Sequence, residues 1–165
     1  GAMAQVADET LTHLRMLNTG KGPAVRALRG QVDVRRYPEA MRARLERTQN
    51  LALREAMVEA LWTAEGDVRG VVLDGGERVA ARTVVVTTGT FLRGLCHRGE
   101  ERWEAGRRDE VASHGLSASL SALGFPLLRL KTGTTPRLDA RTIDFAALEE
   151  QPSEPECPPL SLRSP

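Results

Sequence analysis

The stretch Thr83–Leu92, Thr-Val-Val-Val-Thr-Thr-Gly-Thr-Phe-Leu, decides the fold expected for this chain. Val84 to Val86 form a continuous β-branched run, which is typical of a strand buried on both faces of a parallel sheet. The run ends at Thr88 and Gly89, where a glycine lets the backbone approach a ligand closely. Ligands of open α/β sheets bind beyond the carboxyl ends of the strands. The stretch therefore predicts a buried strand that leads into a binding site, with an ordinary core strand as the alternative.

Three shorter strand-like segments precede this stretch. Residues 53–63, 68–73 and 78–81 are rich in apolar residues and are separated by Glu65-Gly66-Asp67 and Asp74-Gly75-Gly76. The second of these turns is a strong hairpin signal, so the three segments predict a small antiparallel meander. A meander followed by a buried strand indicates the α/β class. We expect part of an FAD-binding dinucleotide domain of the Rossmann-like, glutathione-reductase type.

Helices are expected on either side of these strands. Residues 34–48 carry one apolar stripe at helical spacing, with Asp33 as a plausible N-cap. Residues 117–124 predict a short helix that Ser117 caps and Gly124 ends. A short apolar strand is expected over 127–130.

The composition after Leu92 suggests the domain organisation. Residues 93–110 are dense in charges and glycine, which predicts an irregular surface excursion. We expect residues 1–92 to be the middle of the FAD-binding domain and residues 93–150 the start of an inserted, substrate-side domain. Residues 151–165 are rich in proline, glutamate and serine and predict a poorly ordered tail.

The composition also excludes some classes of protein. The 165-residue chain has no run of about eighteen apolar residues, so we expect no membrane-spanning helix. Its two cysteines, Cys96 and Cys157, lack the spacing of metal ligands. This is typical of a cytoplasmic protein without a metal site.

Positive charge is concentrated near the amino end. Between Leu11 and Arg54, ten basic residues stand against three acidic ones, a net charge of +7 in a chain whose total is +1. Such a basic segment can follow the phosphates of a nucleic acid, although solvated helix faces are the alternative. Lys21, Arg26 and Arg29 belong to this segment, and we expect them to contact RNA phosphates.

Several motifs occur in one order along the chain: Leu-Asn-Thr-Gly-Lys-Gly-Pro-Ala-Val-Arg (17–26), Thr-Gly-Thr-Phe-Leu (88–92), Gly-Arg (106–107), Leu-Ser (116–117) and Arg-Leu-Lys-Thr-Gly-Thr-Thr-Pro-Arg-Leu-Asp (129–139). Together they closely resemble the GidA/MnmG family. Members of this family are flavoenzymes that install carboxymethylaminomethyl-type groups on the wobble uridine of certain tRNAs. The resemblance reaches to about Phe145. It implies FAD as cofactor, NADH and methylene-tetrahydrofolate as co-reactants, a GTPase partner, and a homodimer for the intact enzyme.

The resemblance also implies that the chain is an internal fragment. The family's GxGxxG strand–turn–helix, which holds the flavin pyrophosphate, does not occur in the sequence. Neither Cys96 nor Cys157 corresponds to a catalytic cysteine of the family. We therefore expect no catalytic residue in this chain and no activity from the chain alone.

Four residues are expected to lie near FAD. By resemblance, Val58 corresponds to a strand residue whose backbone contacts the adenine end of FAD. Ser113 corresponds to a second FAD contact, where a hydroxyl can bond to a phosphate or ribose oxygen. Thr88 and Gly89 are expected there because they follow the predicted buried strand. Without the resemblance, Val58 would be interpreted as a core residue and Ser113 as a loop serine.

Two further basic residues flank a turn that resembles a family loop. Lys131 and Arg137 enclose this turn, in which Thr135 replaces the family's first proline. They can hold an RNA phosphate or a substrate carboxylate, and solvated charges beside a turn are the alternative.

Two other functions remain open at this point. Folate- and FAD-dependent tRNA uridine methyltransferases share the scaffold, and part of the motif set fits them. A non-catalytic RNA-binding module would explain the basic segment without any cofactor.

Overall fold

The computed structural model describes residues 1–164, which contain α-helices, 3-10 turns and antiparallel sheets of two or three strands. The elements in chain order are α1 (Ala2–Glu9), β1 (Leu11–Leu17), β2 (Ala27–Val32), α2 (Arg36–Glu46), β3 (Val58–Ala64), β4 (Asp67–Leu73), β5 (Arg78–Ala80), β6 (Leu95–Arg98), β7 (Glu101–Glu104) and α3 (Gly115–Ala122). The predicted α/β class and its antiparallel meander are confirmed. No helix within residues 1–164 combines the length and the apolar character needed to cross a bilayer.

The chain forms two compact units. The first comprises Gly1–Leu53 together with Thr135–Pro165, and the second comprises Arg54–Thr134. The division of the sequence at residues 92 and 150 into cofactor-domain, inserted-domain and tail segments stays a prediction.

The first unit is built around the antiparallel hairpin of β1 and β2. Leu14 of β1 is buried, and Val6 of α1 is completely enclosed. Two single turns of 3-10 helix, Thr19–Lys21 and Pro23–Val25, form the connection between the strands. The apolar side chains of α1 and β1 therefore supply the core of this unit, and the connection projects its basic residues outward.

The helix predicted over 34–48 is α2, which is shorter by two residues at each end. Asp33 Oδ1 accepts hydrogen bonds from the backbone N–H groups of Arg35 (2.8 Å) and Arg36 (2.9 Å). These bonds lower the pKa of Asp33. The N-cap residue of α2 is Arg35, so the prediction of Asp33 as N-cap is wrong by two residues. The Asp33 carboxylate nevertheless satisfies the amides of Arg35 and Arg36, which the start of the helix leaves unpaired.

The segment 151–164, called the tail below, runs along β1 and the end of α1. Ser153 Oγ accepts from the Leu14 backbone N–H (2.9 Å), and the Glu154 N–H donates to the Leu14 carbonyl (2.9 Å). Further on, the Asp8 carboxylate accepts from the backbone N–H groups of Leu160 (2.8 Å) and Ser161 (2.9 Å). The tail contains no helix or strand among its described residues, yet side chains and carbonyls of the first unit satisfy its backbone at several points.

The Asp8 contact is expected to make tail docking sensitive to acid. Burial raises the pKa of Asp8, but the hydrogen bonds from Ser164, Leu160 and Ser161 outweigh it and hold this pKa below the ordinary 3.8. A carboxyl whose pKa is lowered by folding stabilises the docked state above its ordinary pKa, and this contribution is lost as pH falls through the lowered value. The NMR shifts of the Leu160 and Ser161 amides should therefore titrate with a midpoint below 3.8. An Asp8→Asn variant should lose this transition, and a midpoint at or above the ordinary value would contradict the contact.

The second unit begins with the meander β3–β4–β5. Its turns lie where the sequence predicts them: Glu65 and Gly66 have positive φ, as do Gly75 and Gly76. Helix α3 packs on β3, and Ser119 Oγ accepts a hydrogen bond from the Leu61 backbone N–H (3.0 Å). The turn residues thus determine where the strands of the meander begin and end, and α3 covers one face of the meander.

The prediction of a buried strand at Val84–Val86 is wrong. These residues form neither helix nor strand, and the side chain of Val85 is 85% exposed. No backbone N–H from residue 82 to residue 90 donates a hydrogen bond to another described residue. A central strand needs a neighbour on each edge, and residues 1–164 supply none for this run.

Three smaller predictions also differ from the structure. Residues 127–130 form no strand, and Leu128 and Leu130 are each 87% exposed because no partner strand covers them. Helix α3 begins at Gly115, so Ser117 lies within its first turn and does not cap it. The segment 93–110 is more regular than expected, since it contains the hairpin of β6 and β7.

Candidate functional site

An apolar groove of about 350 Å³ lies within the second unit, beside the 84–88 run. Its volume falls at the lower end of the range for ligand pockets, and its walls are mainly aliphatic and aromatic. The residues that line it come from β3, β4, the 84–91 segment, the residues just before α3 and the start of α3: Val58, Leu61, Val71, Val84, Val85, Val86, Thr87, Thr88, Phe91, Ser113 and Leu116.

Ser113 is the most deeply buried of the polar residues that line this groove. Its backbone is fixed on both sides, because its N–H donates to the Phe91 carbonyl (2.8 Å) and its carbonyl accepts from the Arg93 N–H (2.7 Å). The residue is only 8% exposed, and its hydroxyl has no hydrogen-bond partner among residues 1–164. A hydroxyl on a largely buried residue that lines a groove and has no protein partner is suited to bond a ligand oxygen or nitrogen.

The 84–88 run adds unpaired backbone donors to the same groove. The N–H groups of this run have no acceptor among the described residues, and the carbonyl of Thr88 accepts from the Phe91 N–H (3.0 Å) in a turn. Gly89 lies within that turn at φ +55°. The groove therefore combines apolar walls with a run of residues whose amides have no acceptor and with Thr87, Thr88 and Ser113, whose hydroxyls have no partner among residues 1–164.

The structure brings together three of the four residues predicted to contact the cofactor. Val58, Thr88 and Ser113 all line the groove, and Gly89 follows directly after Thr88 without lining it. Leu61, Phe91 and Leu116 also line the groove and were not predicted from the sequence. Their apolar side chains looked like ordinary core residues, and only the folding of α3 against β3 places them there.

The five predicted RNA contacts lie in exposed segments. Lys21 and Arg26 belong to the connection between β1 and β2, where an Arg26 guanidinium N–H donates to the Thr19 carbonyl (3.3 Å). Arg29 lies on β2. Lys131 and Arg137 lie in exposed segments without helix or strand, the first in the second unit and the second in the first unit.

Several other members of the basic segment have acidic partners. Arg15 pairs with Glu154 (3.4 Å), Arg42 with Glu46 (2.8 Å), and Arg54 with Glu77. Within residues 1–164, Lys21, Arg26 and Arg29 have no such ion pair. Arg35, Arg36, Arg44 and Arg47, in and beside α2, also have no ion pair within residues 1–164. The unmatched positive charge of the basic segment is therefore shared between the β1–β2 hairpin with its connection and α2. No group of three or more His, Cys, Asp or Glu side chains in the described part of the chain is arranged to hold a metal ion.

Comparison with solved structures first shows that the chain is similar to proteins of the GidA class. The chain is similar to GidA from Aquifex aeolicus with a TM-score of 0.90 and 41% sequence identity, covering 99% of this chain and 27% of that one. A second similarity is to the GidA-related protein from Thermus thermophilus, with a TM-score of 0.55 and 28% identity over 59% of this chain and 44% of that one.

Comparison with sequences then gives the family. The family model described as "Glucose inhibited division protein A" matches residues 1–164. The chain is 47% identical over 156 residues to a protein of Lactobacillus delbrueckii subsp. bulgaricus named tRNA uridine 5-carboxymethylaminomethyl modification enzyme MnmG. It is 49% identical over 154 residues to the MnmG of Chloroflexus aurantiacus. The chain therefore belongs to the GidA/MnmG family, as its motifs predicted.

The match covers most of this chain but a small part of its relatives. It includes 94% of this chain and 25% of the Lactobacillus protein, and 92% and 24% for the Chloroflexus protein. The chain thus spans about a quarter of the length of the curated relatives that it matches.

Proposed function

We propose that this chain is part of an FAD-dependent enzyme that modifies C5 of the tRNA wobble uridine, and that the groove forms part of its FAD site. The observation that carries the proposal is the convergence of Val58, Thr88 and Ser113 on one groove. These residues are distant in the sequence, and the family resemblance and the sheet-end argument indicate them independently of the groove. Their convergence supports a shared ligand.

The chemistry of the groove fits one portion of a dinucleotide. Aliphatic and aromatic walls suit an adenine ring, and the Ser113 hydroxyl and the amides of the 84–88 run suit ribose or phosphate oxygens. When bound, the flavin of FAD would supply the redox chemistry of the reaction. The residues of this chain would bind and orient the cofactor and keep water from its apolar portion.

The finer details of the proposal come from the family. They include NADH as reductant, methylene-tetrahydrofolate as one-carbon donor, a GTPase partner, a homodimer and a cytoplasmic location. The proposal keeps the catalytic residues outside this chain, so we expect the chain alone to be inactive. It also assigns the basic hairpin, with Lys21, Arg26 and Arg29, to tRNA contact, and assigns Lys131 and Arg137 to further phosphate or carboxylate contacts.

A non-catalytic RNA-binding module is the second candidate. The exposed hairpin, whose basic residues Lys21, Arg26 and Arg29 lack acidic partners in the described part of the chain, favours it. Under that alternative the chain would bind RNA in a salt-dependent manner and show no response to FAD.

An NMR titration of the chain with FAD tests the groove. We expect shift changes at the amides of Val58, Thr88, Gly89 and Ser113, and weak affinity, since the sequence lacks the GxGxxG unit. Ser113→Ala should weaken FAD binding by about two- to tenfold, because one hydrogen bond is lost.

Ser121→Ala is the matched control for that experiment. Ser121 lies on the exposed side of the same helix, α3, so this variant should bind FAD as the original chain does. Shift changes outside the groove, or equal effects of the two serine variants, would refute the proposed FAD site. Tight binding by the chain would refute the expectation that its cofactor site is incomplete.

A further inference from the structure

Glu154 of the tail holds an unusual position against the edge of β1. Its carboxylate accepts hydrogen bonds from Arg15 Nε (3.4 Å), the Met16 backbone N–H (3.3 Å) and the Cys157 thiol (3.3 Å). The thiol, the Met16 amide and Arg15 together hold the pKa of Glu154 below its ordinary value. The group is therefore an anion at neutral pH, held by a guanidinium, an amide and a thiol.

Arg15, which pairs with the Glu154 carboxylate, also faces a second arginine across the β1–β2 hairpin. Arg15 of β1 lies directly opposite Arg29 of β2 in the strand register. Facing residues of antiparallel strands have Cβ atoms about 4.5–5.5 Å apart, and like charges there repel each other. Glu154 offsets the charge of Arg15, whereas Arg29 is exposed and has no acidic partner among residues 1–164.

We propose that Arg15 and Arg29 form a phosphate-binding site on the β1–β2 hairpin, in which the Glu154 carboxylate occupies the place of an RNA phosphate. Guanidinium and backbone N–H groups are donors that commonly bind phosphate oxygens in nucleic-acid complexes. An RNA phosphate that takes the donors now bonded to Glu154, which are Arg15 Nε and the Met16 amide, must displace this carboxylate, so the tail competes with RNA. This inference rests on the proposed function, because it concerns the same RNA-facing hairpin and adds Arg15 to it.

Two matched variants of the 165-residue chain test the competition. Glu154→Gln and Glu156→Gln each remove one negative charge from the tail, but Glu156 is exposed and has no ion pair in the described part of the chain. At low salt, Glu154→Gln should bind tRNA about two- to fivefold more tightly than Glu156→Gln, the range expected for removing a part-exposed ion pair.

The salt dependence provides a second measurement. In the original chain Arg15 is already neutralised by Glu154, so exchanging that carboxylate for a phosphate releases few counterions. In Glu154→Gln no carboxylate is freed, so a phosphate that binds Arg15 releases its condensed cations with nothing to offset that release. The plot of log affinity against log salt should therefore be steeper by about one unit for Glu154→Gln than for Glu156→Gln.

The third part of the experiment tests Glu154→Gln in a chain that also carries Arg15→Gln. Without Arg15 the Glu154→Gln change should affect tRNA affinity no more than Glu156→Gln does, because the specific effect of Glu154 acts through its contact with Arg15. If the original chain binds tRNA and Glu154→Gln behaves as Glu156→Gln does, the phosphate site at Arg15 is refuted while the RNA-facing hairpin stands. If no variant binds tRNA at low salt, both the hairpin surface and the competition are refuted. Circular dichroism checks that each variant is folded, and Arg15→Gln alone should weaken tRNA binding relative to the original chain.

Discussion

Replacing Gly70 by alanine is expected to lower the free energy of unfolding of the second unit by about 3 kcal/mol or more. Gly70 lies in the middle strand of the meander at φ +149°, a backbone conformation that side chains disfavour. An added Cβ would overlap the Val79 carbonyl oxygen and lie 2.9 Å from its carbonyl carbon and 3.0 Å from Ala80 Cα. All three atoms belong to the backbone of β5, so relief requires β5 to separate from β4.

The sequence around Gly70 explains the close approach. Trp62 faces Gly70, but Thr63 faces Val68, so Arg69 is an extra residue and forms a β-bulge. A bulge bends its strand, and glycine is the residue that tolerates the resulting backbone angles. Urea unfolding followed by circular dichroism measures the loss of stability.

Gly133→Ala is the control for this substitution. Gly133 lies in an exposed segment of the same unit, and an added Cβ would meet no atom within 4 Å. Its effect should stay within about 0.5 kcal/mol. Equal unfolding midpoints for the two alanine variants would contradict the described pairing of β4 with β5.

The parts of the fold that follow local rules could be predicted from the sequence. The meander depends on turn residues such as Gly66 and Gly75, whose positive φ the sequence itself signals. The start of α2 likewise depends on Asp33, which lies only two and three residues from the amides whose hydrogen bonds it accepts. Each of these features is determined within a few residues.

The failed predictions concern features that depend on distant partners. Val84–Val86 has the composition of a central strand, but strand formation requires neighbouring strands that residues 1–164 do not supply. Residues 127–130 fail for the same reason. Composition indicates which segments can be buried, and only the rest of the fold determines whether they are.

The candidate site likewise has features that could be predicted from the sequence and features that depend on distant partners. The family resemblance selected Val58 and Ser113, yet neither residue carries a local signal of ligand binding. The apolar walls at Leu61 and Phe91, and the pairing of Arg15 with Glu154 across 139 positions, arise only from the fold. No pattern within a few residues of any of these positions predicts such contacts.

Lys21, Arg26 and Arg29 are the cations on the β1–β2 hairpin and its connection without an ion pair in the described part of the chain. Neutralising all three is expected to weaken tRNA binding by about tenfold or more at low salt. The variant is Lys21→Gln, Arg26→Gln and Arg29→Gln. These side chains are exposed and have no acidic partner among residues 1–164, so each can neutralise an RNA phosphate and release the cations condensed on it. The slope of log affinity against log salt should fall by about two to three units, and the variant should converge with the original chain at high salt.

The matched control neutralises three arginines that already have acidic neighbours. Arg98 pairs with Glu101, Arg107 with Glu110 (2.7 Å), and Arg108 with Asp109 (3.6 Å). The triple change to glutamine at these arginines alters the net charge of the chain equally. If binding depended only on net charge, both triple variants would lose the same affinity, and the hairpin would have no special role. A loss of tRNA affinity confined to the hairpin variant would instead locate the phosphate contacts on the connection and β2. An arginine that is already paired contributes less binding free energy, because the phosphate must first displace its carboxylate.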